Sequence, residues 1–336
     1  MKTAQEAGIP DRPEKAFMIC RLPREKECRL FQPSNHASAV ELTFAPFRGR
    51  SVKASLEEVE HWREIESDVV SLSDRTDAAD DQSSYSKKLE RLISGMQEQD
   101  DLDKVVLSRQ YSIPFPENYS ARQHFDRLLA AYADHAVYWI KWPEIGEWMG
   151  ASPEPLLRLD GQLLSTVALA GTLAVDEGEW SEKEYREQRS VSDFIHQRLI
   201  DNGCLQVTSK GPYERRTGRL RHLQTDFEAW LPSKAEHQQV LEQLHPTPAV
   251  CGLPRQSALD WIDTLEEYDR QFYTGYWGLD EGGSAAYFVN LRCMSIHQTH
   301  LSFYAGGGVN ALSGPQREWQ ETADKLQALM AYLDET

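Results

Sequence analysis

The run Gly306-Gly307-Gly308 follows an apolar stretch, Leu301 to Tyr304, that reads as a buried strand, and precedes Ser313-Gly314-Pro315, which has the form of a helix entry. Consecutive glycines lose much conformational entropy on folding and bring no side chain to the core, so their place beside a buried strand needs a reason. A loop that takes positive φ and lets the backbone approach a ligand is such a reason. On the helix that Pro315 opens, Glu318, Glu321 and Lys325 stand at i, i+3 and i+7 and share one face. Taken alone they make a solvated face with an ion pair between Glu321 and Lys325. Taken with the glycines, the carboxylates offer hard oxygen ligands for Mg²⁺, and the backbone amides and the lysine offer a site for an anion.

Hydrophobic residues make up 40% of the 336, enough for a sizeable core. The net charge of -17 argues against a nucleic-acid footprint or an anionic membrane surface, either of which needs a basic patch. No run of about 18 apolar residues occurs, and Met1-Lys-Thr-Ala-Gln-Glu-Ala-Gly8 lacks the apolar core of a signal peptide, so a cytosolic protein is expected. The five cysteines are scattered without a CxxC pair, which speaks against structural zinc and a disulfide framework.

Along the chain, residues 1–60 give strands at Ala16 to Leu22 and Ala39 to Phe44 and no visible chemistry. Residues 73–86 are acidic and serine-rich, a flexible loop by composition, and Ser86 to Gln99 has the apolar stripe of an amphipathic helix. Lys104 to Arg109 is a short buried strand with a lysine at its entry, which is either a snorkelling surface group or, partly desolvated, a base. Gly150-Ala-Ser-Pro-Glu-Pro155 is a rigid turn that projects Glu154, as a surface carboxylate or as a positioned acid. The strand Leu163 to Thr172 ends in the small residues Ala170-Gly171-Thr172, which leave room for a ligand. Residues 179–201 form a charged helix carrying Glu184 and Glu187.

Residues 209–219 read as a basic turn before the strand Leu220 to Leu231, which carries His222. The two prolines of His245-Pro-Thr-Pro-Ala249 predict a stiff, extended segment. Tyr273 to Leu279 and Ala285 to Ile296 are strands, and Arg292 falls inside the second, where a buried guanidinium needs a carboxylate from the protein or a ligand.

Together, Lys104-Val-Val-Leu-Ser-Arg109, Gly150-Ala-Ser-Pro-Glu154, Ala168-Leu-Ala-Gly-Thr172, Arg186-Glu187, His245-Pro-Thr-Pro-Ala249, Ala305-Gly-Gly-Gly308 and Glu318-Trp-Gln-Glu-Thr-Ala-Asp-Lys325 resemble the motifs of the chorismate-utilising enzymes, in the same order. The resemblance covers residues 88–334 and is greatest to the isochorismate synthases. It implies one large α+β (α/β-type) domain in which two antiparallel sheets stack with helices outside, residues 1–87 being a variable N-terminal part of the same fold.

The resemblance also implies roles. Lys104 would activate water for attack on C2 of chorismate, and Glu154 would protonate the departing C4 hydroxyl. Ala170 stands where the aminodeoxychorismate synthases carry a nucleophilic lysine, so that covalent route is closed. Mg²⁺ would be held by Glu187 and Glu321 with Glu318 nearby, bridging to the ring carboxylate. Arg292 and the amides around Gly307 and Gly308 would take the enolpyruvyl carboxylate. Gly171, Thr172, His222, Ala249, Tyr273 and Lys325 would line the substrate pocket. The expected protein is a monomer without an amidotransferase subunit. Its rivals are a salicylate synthase, which goes on to eliminate pyruvate, and a chorismate-binding paralogue without turnover. The product's destination, whether menaquinone, a siderophore or salicylate, is not written in these residues.

Overall fold

The structure, a computed structural model, describes residues 15–35, 40–60, 81–98, 102–175, 178–217, 220–233 and 236–333. The chain begins with strands β1 (Phe17–Arg21), β2 (Arg29–Pro33), β3 (Val40–Ala45) and β4 (Val52–Val59), then helix α1 (Gln82–Glu98). β5 (Lys104–Pro114) and α2 (Ala121–Ala131) lead to β6 (Ala136–Trp142), β7 (Gly146–Ser152), β8 (Pro155–Asp160) and β9 (Leu163–Ala174). Helix α3 (Glu182–Asp201) precedes the long hairpin of β10 (Leu205–Thr217) and β11 (Leu220–Trp230), followed by α4 (His237–Leu244), β12 (Gly252–Leu253) and α5 (Arg255–Leu265). The last elements are β13 (Tyr276–Asp280), β14 (Ser284–Val289), β15 (Cys293–Ile296), β16 (His300–Val309) and α6 (Pro315–Met330).

The described strands form one hydrogen-bonded sheet in the order β10-β11-β9-β8-β14-β13-β3-β4-β2-β1-β6-β7-β15-β16-β5-β12. That sheet is folded back on itself. Tyr138 of β6 and Trp277 of β13 have ring centroids 4.9 Å apart, yet the five strand steps between them would span about 24 Å of a flat sheet. The two stacked layers expected from the resemblance are therefore two halves of a single sheet joined through β4 and β2. Their inner faces supply an aromatic core that includes Phe44, Tyr138, Trp148, Phe272, Trp277, Phe288 and Tyr304. Helices α2 and α6 cover one outer face and α3 and α4 the other, each burying an apolar stripe. β1 to β4, from the part in which the sequence shows no chemistry, form the middle of this sheet.

Several elements differ from their sequence signals. Gly306, Gly307 and Gly308 are strand residues of β16, paired with Ser108, Leu107 and Val106, and none has positive φ. The expected loop is a ladder, because β5 continues to Pro114 and offers β16 a partner along its whole length. The basic turn at 209–219 is mostly strand β10, paired with β11 across a register shift between Lys210 and Tyr213. Residues 73–80 of the acidic loop lie outside the described residues, and 82–86 are already helical, with the Ser84 amide donating to Asp81 Oδ1 at 2.7 Å. The strand over 285–296 is interrupted after Val289, and Arg292 sits at the corner before β15 with φ 48°. The segment before Gly252 is a turn in which Thr247 O accepts from the amides of Val250 and Cys251, at 3.1 and 3.0 Å.

Candidate active site

The fold brings the two ends of the sheet together. Lys104 opens β5, the fifteenth strand in the order, while Glu187 lies on α3, which packs against β9 and β11 at the other end. Lys104 Nζ donates to Glu187 Oε1 at 2.6 Å across that junction, and both side chains are partly shielded from solvent. Glycines make the lysine's berth: a Cβ added at Gly308 would stand 2.6 Å from Lys104 Cε and 3.3 Å from its Nζ.

Glu154 lies in the link between β7 and β8, where its backbone is clamped. Its amide donates to Ser152 Oγ at 3.3 Å and its carbonyl accepts from the Val289 amide at 3.0 Å. The side chain is buried, and desolvation raises its carboxyl to about 7, with Lys104 and Arg215 pulling the other way. A carboxylic acid poised near neutrality, within electrostatic reach of a lysine, is equipped to donate a proton.

On α6 the pleat of β16 turns Gly307 away from Gly306 and Gly308 and towards the helix. A Cβ there would come 3.3 Å from Glu318 Oε2 and 3.8 Å from Glu321 Oε1. Glu318 is buried, its Oε2 has no hydrogen-bond partner among the described residues, and burial with help from Glu321 raises its pKa. Glu321 is exposed and paired with Lys325, whose Nζ lies 2.8 Å from Glu321 Oε1 and donates to Gly306 O at 2.8 Å. The helix is pinned at this height by Arg109 of β5, which stacks 3.8 Å from the Trp319 ring centroid and donates to Thr322 Oγ1 at 2.9 Å. An orphaned, buried carboxylate oxygen beside a second carboxylate is a donor set for a hard divalent cation, and the residues fit Mg²⁺. No cluster of three His, Cys, Asp or Glu side chains around one point exists among the described residues. Glu187, the third expected ligand, is engaged by Lys104 instead.

At β9 the ladder has a bulge. Thr172 stands opposite His222 and Ala170 opposite Leu223, leaving Gly171 as the extra residue at φ 67°. Only glycine serves there without strain, and a Cβ would also press on Glu184 at 3.2 Å. His222 hydrogen-bonds the Gly171 backbone, and burial lowers its pKa, assisted by Lys325, Arg292 and Arg215. Arg292 does not find a protein carboxylate among the described residues: its Nη1 lies 2.9 Å from His135 Nε2, and the guanidinium sits 5.4 Å from the Tyr132 ring centroid. Burial and the neighbouring Arg292 lower His135 to about 4, so it meets the guanidinium as a neutral acceptor. Tyr273 is buried, stacked on Tyr304 at 5.3 Å, with its hydroxyl under Gly306. Ala249 lies in the turn that leads into β12, and β12 pairs with Lys104 and Val105.

The sequence reading missed Arg215 and His135. Arg215 lay in what reads as a turn, although its alternation with Tyr213 is a strand signal. His135 follows α2 in the stretch before β6 and carries no local signal.

Residues 48–334 match the family described as chorismate binding enzyme. The chain belongs to that family. The isochorismate synthase EntC of Escherichia coli (strain K12) is 31% identical over 241 residues, which is 68% of this chain and 62% of the relative. The isochorismate synthase MenF of the same organism is 34% identical over 247 residues, 69% of this chain and 56% of the relative. The chain thus spans less than two thirds of the length of these curated relatives. Among solved structures, the menaquinone-specific isochorismate synthase MenF of Escherichia coli superposes with a TM-score of 0.82 at 21% identity, covering 99% of this chain and 92% of that one. Anthranilate synthase component I of Streptococcus pneumoniae gives 0.70 at 16% identity, over 98% and 95%. Both share the mixed α+β fold of this chorismate binding enzyme.

Proposed function

We propose that this protein is an isomerase that converts chorismate to isochorismate with Mg²⁺. The observation that carries the reading is the buried Glu154, its carboxyl raised to about 7, within electrostatic reach of Lys104. Binding alone would not require an amine and a carboxyl poised near neutrality within electrostatic reach of each other. The isochorismate synthases among its relatives favour the same chemistry.

In this reading Lys104 accepts a proton from the water that adds to C2. The C1–C2 π pair moves to C1–C6, the C5–C6 pair moves to C4–C5, and the C4–O bond breaks. Glu154 delivers its proton to that oxygen, which leaves as water, so the atoms added at C2 balance those lost from C4. Arg292 and Lys325 meet the negative charge of the two substrate carboxylates in a protein that is acidic overall. Glu318, Glu321 and Glu187 would hold the cation, which supplies positive charge to neutralise the ring carboxylate when bound. Glu187 then has two partners to serve, the cation and Lys104.

The test is incubation of the purified protein with chorismate and Mg²⁺, followed by chromatographic identification of the product. Isochorismate as the accumulating product supports the proposal. Accumulating salicylate would make the protein a salicylate synthase, and unchanged chorismate with measurable binding would make it a non-catalytic relative.

A further inference from the structure

The hairpin of β10 and β11 carries a cation that the reaction scheme above does not use. Arg215 stands opposite His222, and Tyr213 opposite Gln224, so all four side chains share one face of the ladder. The other face is charge-paired: Glu214 binds Arg216 and Arg221, each at 3.0 Å. Arg215 is different. Its Nη1 donates to the neutral amide oxygen of Gln224 at 2.7 Å, and among the described residues it has no carboxylate within ion-pair distance.

Gln224 fixes the orientation. It is buried, and its Nε2 donates to Tyr213 Oη at 2.9 Å and to Asp226 Oδ1 at 2.5 Å, which leaves its oxygen turned to the guanidinium. Arg215 is itself half-buried and lies within electrostatic reach of Glu154, His222 and His135. Arg292 reaches the same two histidines. Two guanidiniums without a carboxylate partner among the described residues therefore act on the same pair of histidines. A partly desolvated, oriented guanidinium without a counter-ion is suited to an incoming carboxylate, which it can bind through two parallel hydrogen bonds.

The position of Glu154 selects which carboxylate. On chorismate the enolpyruvyl ether is borne by C3, next to the C4 that Glu154 would serve, whereas the ring carboxylate on C1 lies diagonally across the ring. We propose that Arg215 binds the enolpyruvyl carboxylate of chorismate together with Arg292. This rests on the reading of the site as a chorismate isomerase and adds to it a substrate-binding residue on the hairpin.

Steady-state kinetics of Arg215→Gln and Arg215→Lys with chorismate at saturating Mg²⁺, over a range of pH, test the assignment. A lost charge-assisted hydrogen bond to substrate should raise KM by about 10- to 100-fold in Arg215→Gln while kcat changes little. Arg215→Lys should recover part of the loss, because it keeps the charge without the fork. The melting temperature without chorismate should match that of the wild type, and the rise on adding chorismate should disappear in Arg215→Gln. A KM within about twofold of wild type overturns the proposal, and if the pH profile moves instead, Arg215 acts on Glu154 rather than on substrate. If the wild type binds chorismate without converting it, the activity reading fails alone, and loss of the chorismate-induced melting shift in Arg215→Gln still supports the proposal.

Discussion

Lys104 Nζ and Glu187 Oε1, 2.6 Å apart, tie the β5 end of a folded sheet to the helix that covers its β9–β11 end. In the proposed reaction that contact would set where the amine meets the attacking water. Replacing Lys104 by Gln keeps a hydrogen-bonding group at nearly the same reach but removes a proton acceptor. Isochorismate formation should fall by about 10²-fold or more, the scale of a lost general base, with chorismate affinity largely kept. Near-normal turnover with weakened binding would make the lysine a substrate anchor.

Glu154→Gln keeps the volume and the buried position of the carboxyl but has no acidic proton. Turnover should drop by about 10²- to 10⁴-fold while chorismate still raises the melting temperature. A loss below about tenfold would assign Glu154 to binding or structure.

The same residue should give both activity and stability a pH dependence. An acid must be protonated to act, so kcat/KM should fall as pH rises through about 7. For stability, a carboxyl raised from 4.5 to about 7 by burial binds its proton more tightly in the folded state. Its contribution is fully present below about 4.5 and is lost as pH rises to about 7, a loss of about 3 kcal/mol. Glu154→Gln should therefore melt higher than wild type at pH 8, and close to wild type at pH 5. Equal melting temperatures at pH 8 would mean that Glu154 is hydrated in solution.

Much of the proposed site is legible in the sequence because its parts are local. Lys104, Glu154 and the Glu318–Glu321–Lys325 face each sit in a short stretch whose residue types announce chemistry; in the structure Lys104 lies within electrostatic reach of Glu154 and against Gly308, while Glu318 and Glu321 lie against Gly307. What could not be read depends on distant partners. Gly306 to Gly308 look like a loop until β5 is seen to pair with them residue by residue. Arg292 looks like a mid-strand charge seeking a carboxylate, yet its partner is His135, 157 residues away. The folding of one sheet into two layers likewise follows from contacts such as Tyr138 Oη to Asn290 Oδ1 at 2.7 Å, which no periodicity encodes.

The glycines of β16 yield a pair of predictions that separate the two faces of the strand. A methyl group at Gly308 would meet Lys104 Cε at 2.6 Å, and since that contact is the far end of a flexible side chain, the fold should survive while the lysine is displaced. Gly308→Ala should lower kcat with little change in Mg²⁺ affinity. Gly307→Ala presses instead on Glu318 Oε2 at 3.3 Å and should weaken Mg²⁺ binding first. Identical kinetic effects from the two substitutions would contradict this division of the strand.

Removal of the cation is the remaining test, and Glu318 makes it specific. Its Oε2 is buried without a hydrogen-bond partner among the described residues, a state that costs about 1–3 kcal/mol for a polar group and that a bound cation would relieve. Excess chelator should abolish isochorismate formation, and added Mg²⁺ should restore it. Glu318→Gln and Glu321→Gln should each weaken Mg²⁺ binding measured by calorimetry on the substrate-free protein, because each replaces an anionic ligand with a neutral one. Glu318→Gln should also relieve the repulsion between the two carboxylates, so the variant should melt above wild type without Mg²⁺ and lose the rise that Mg²⁺ produces in the wild type. A Glu318→Gln protein with unaltered Mg²⁺ affinity and unaltered melting behaviour would take this carboxylate out of the cation site.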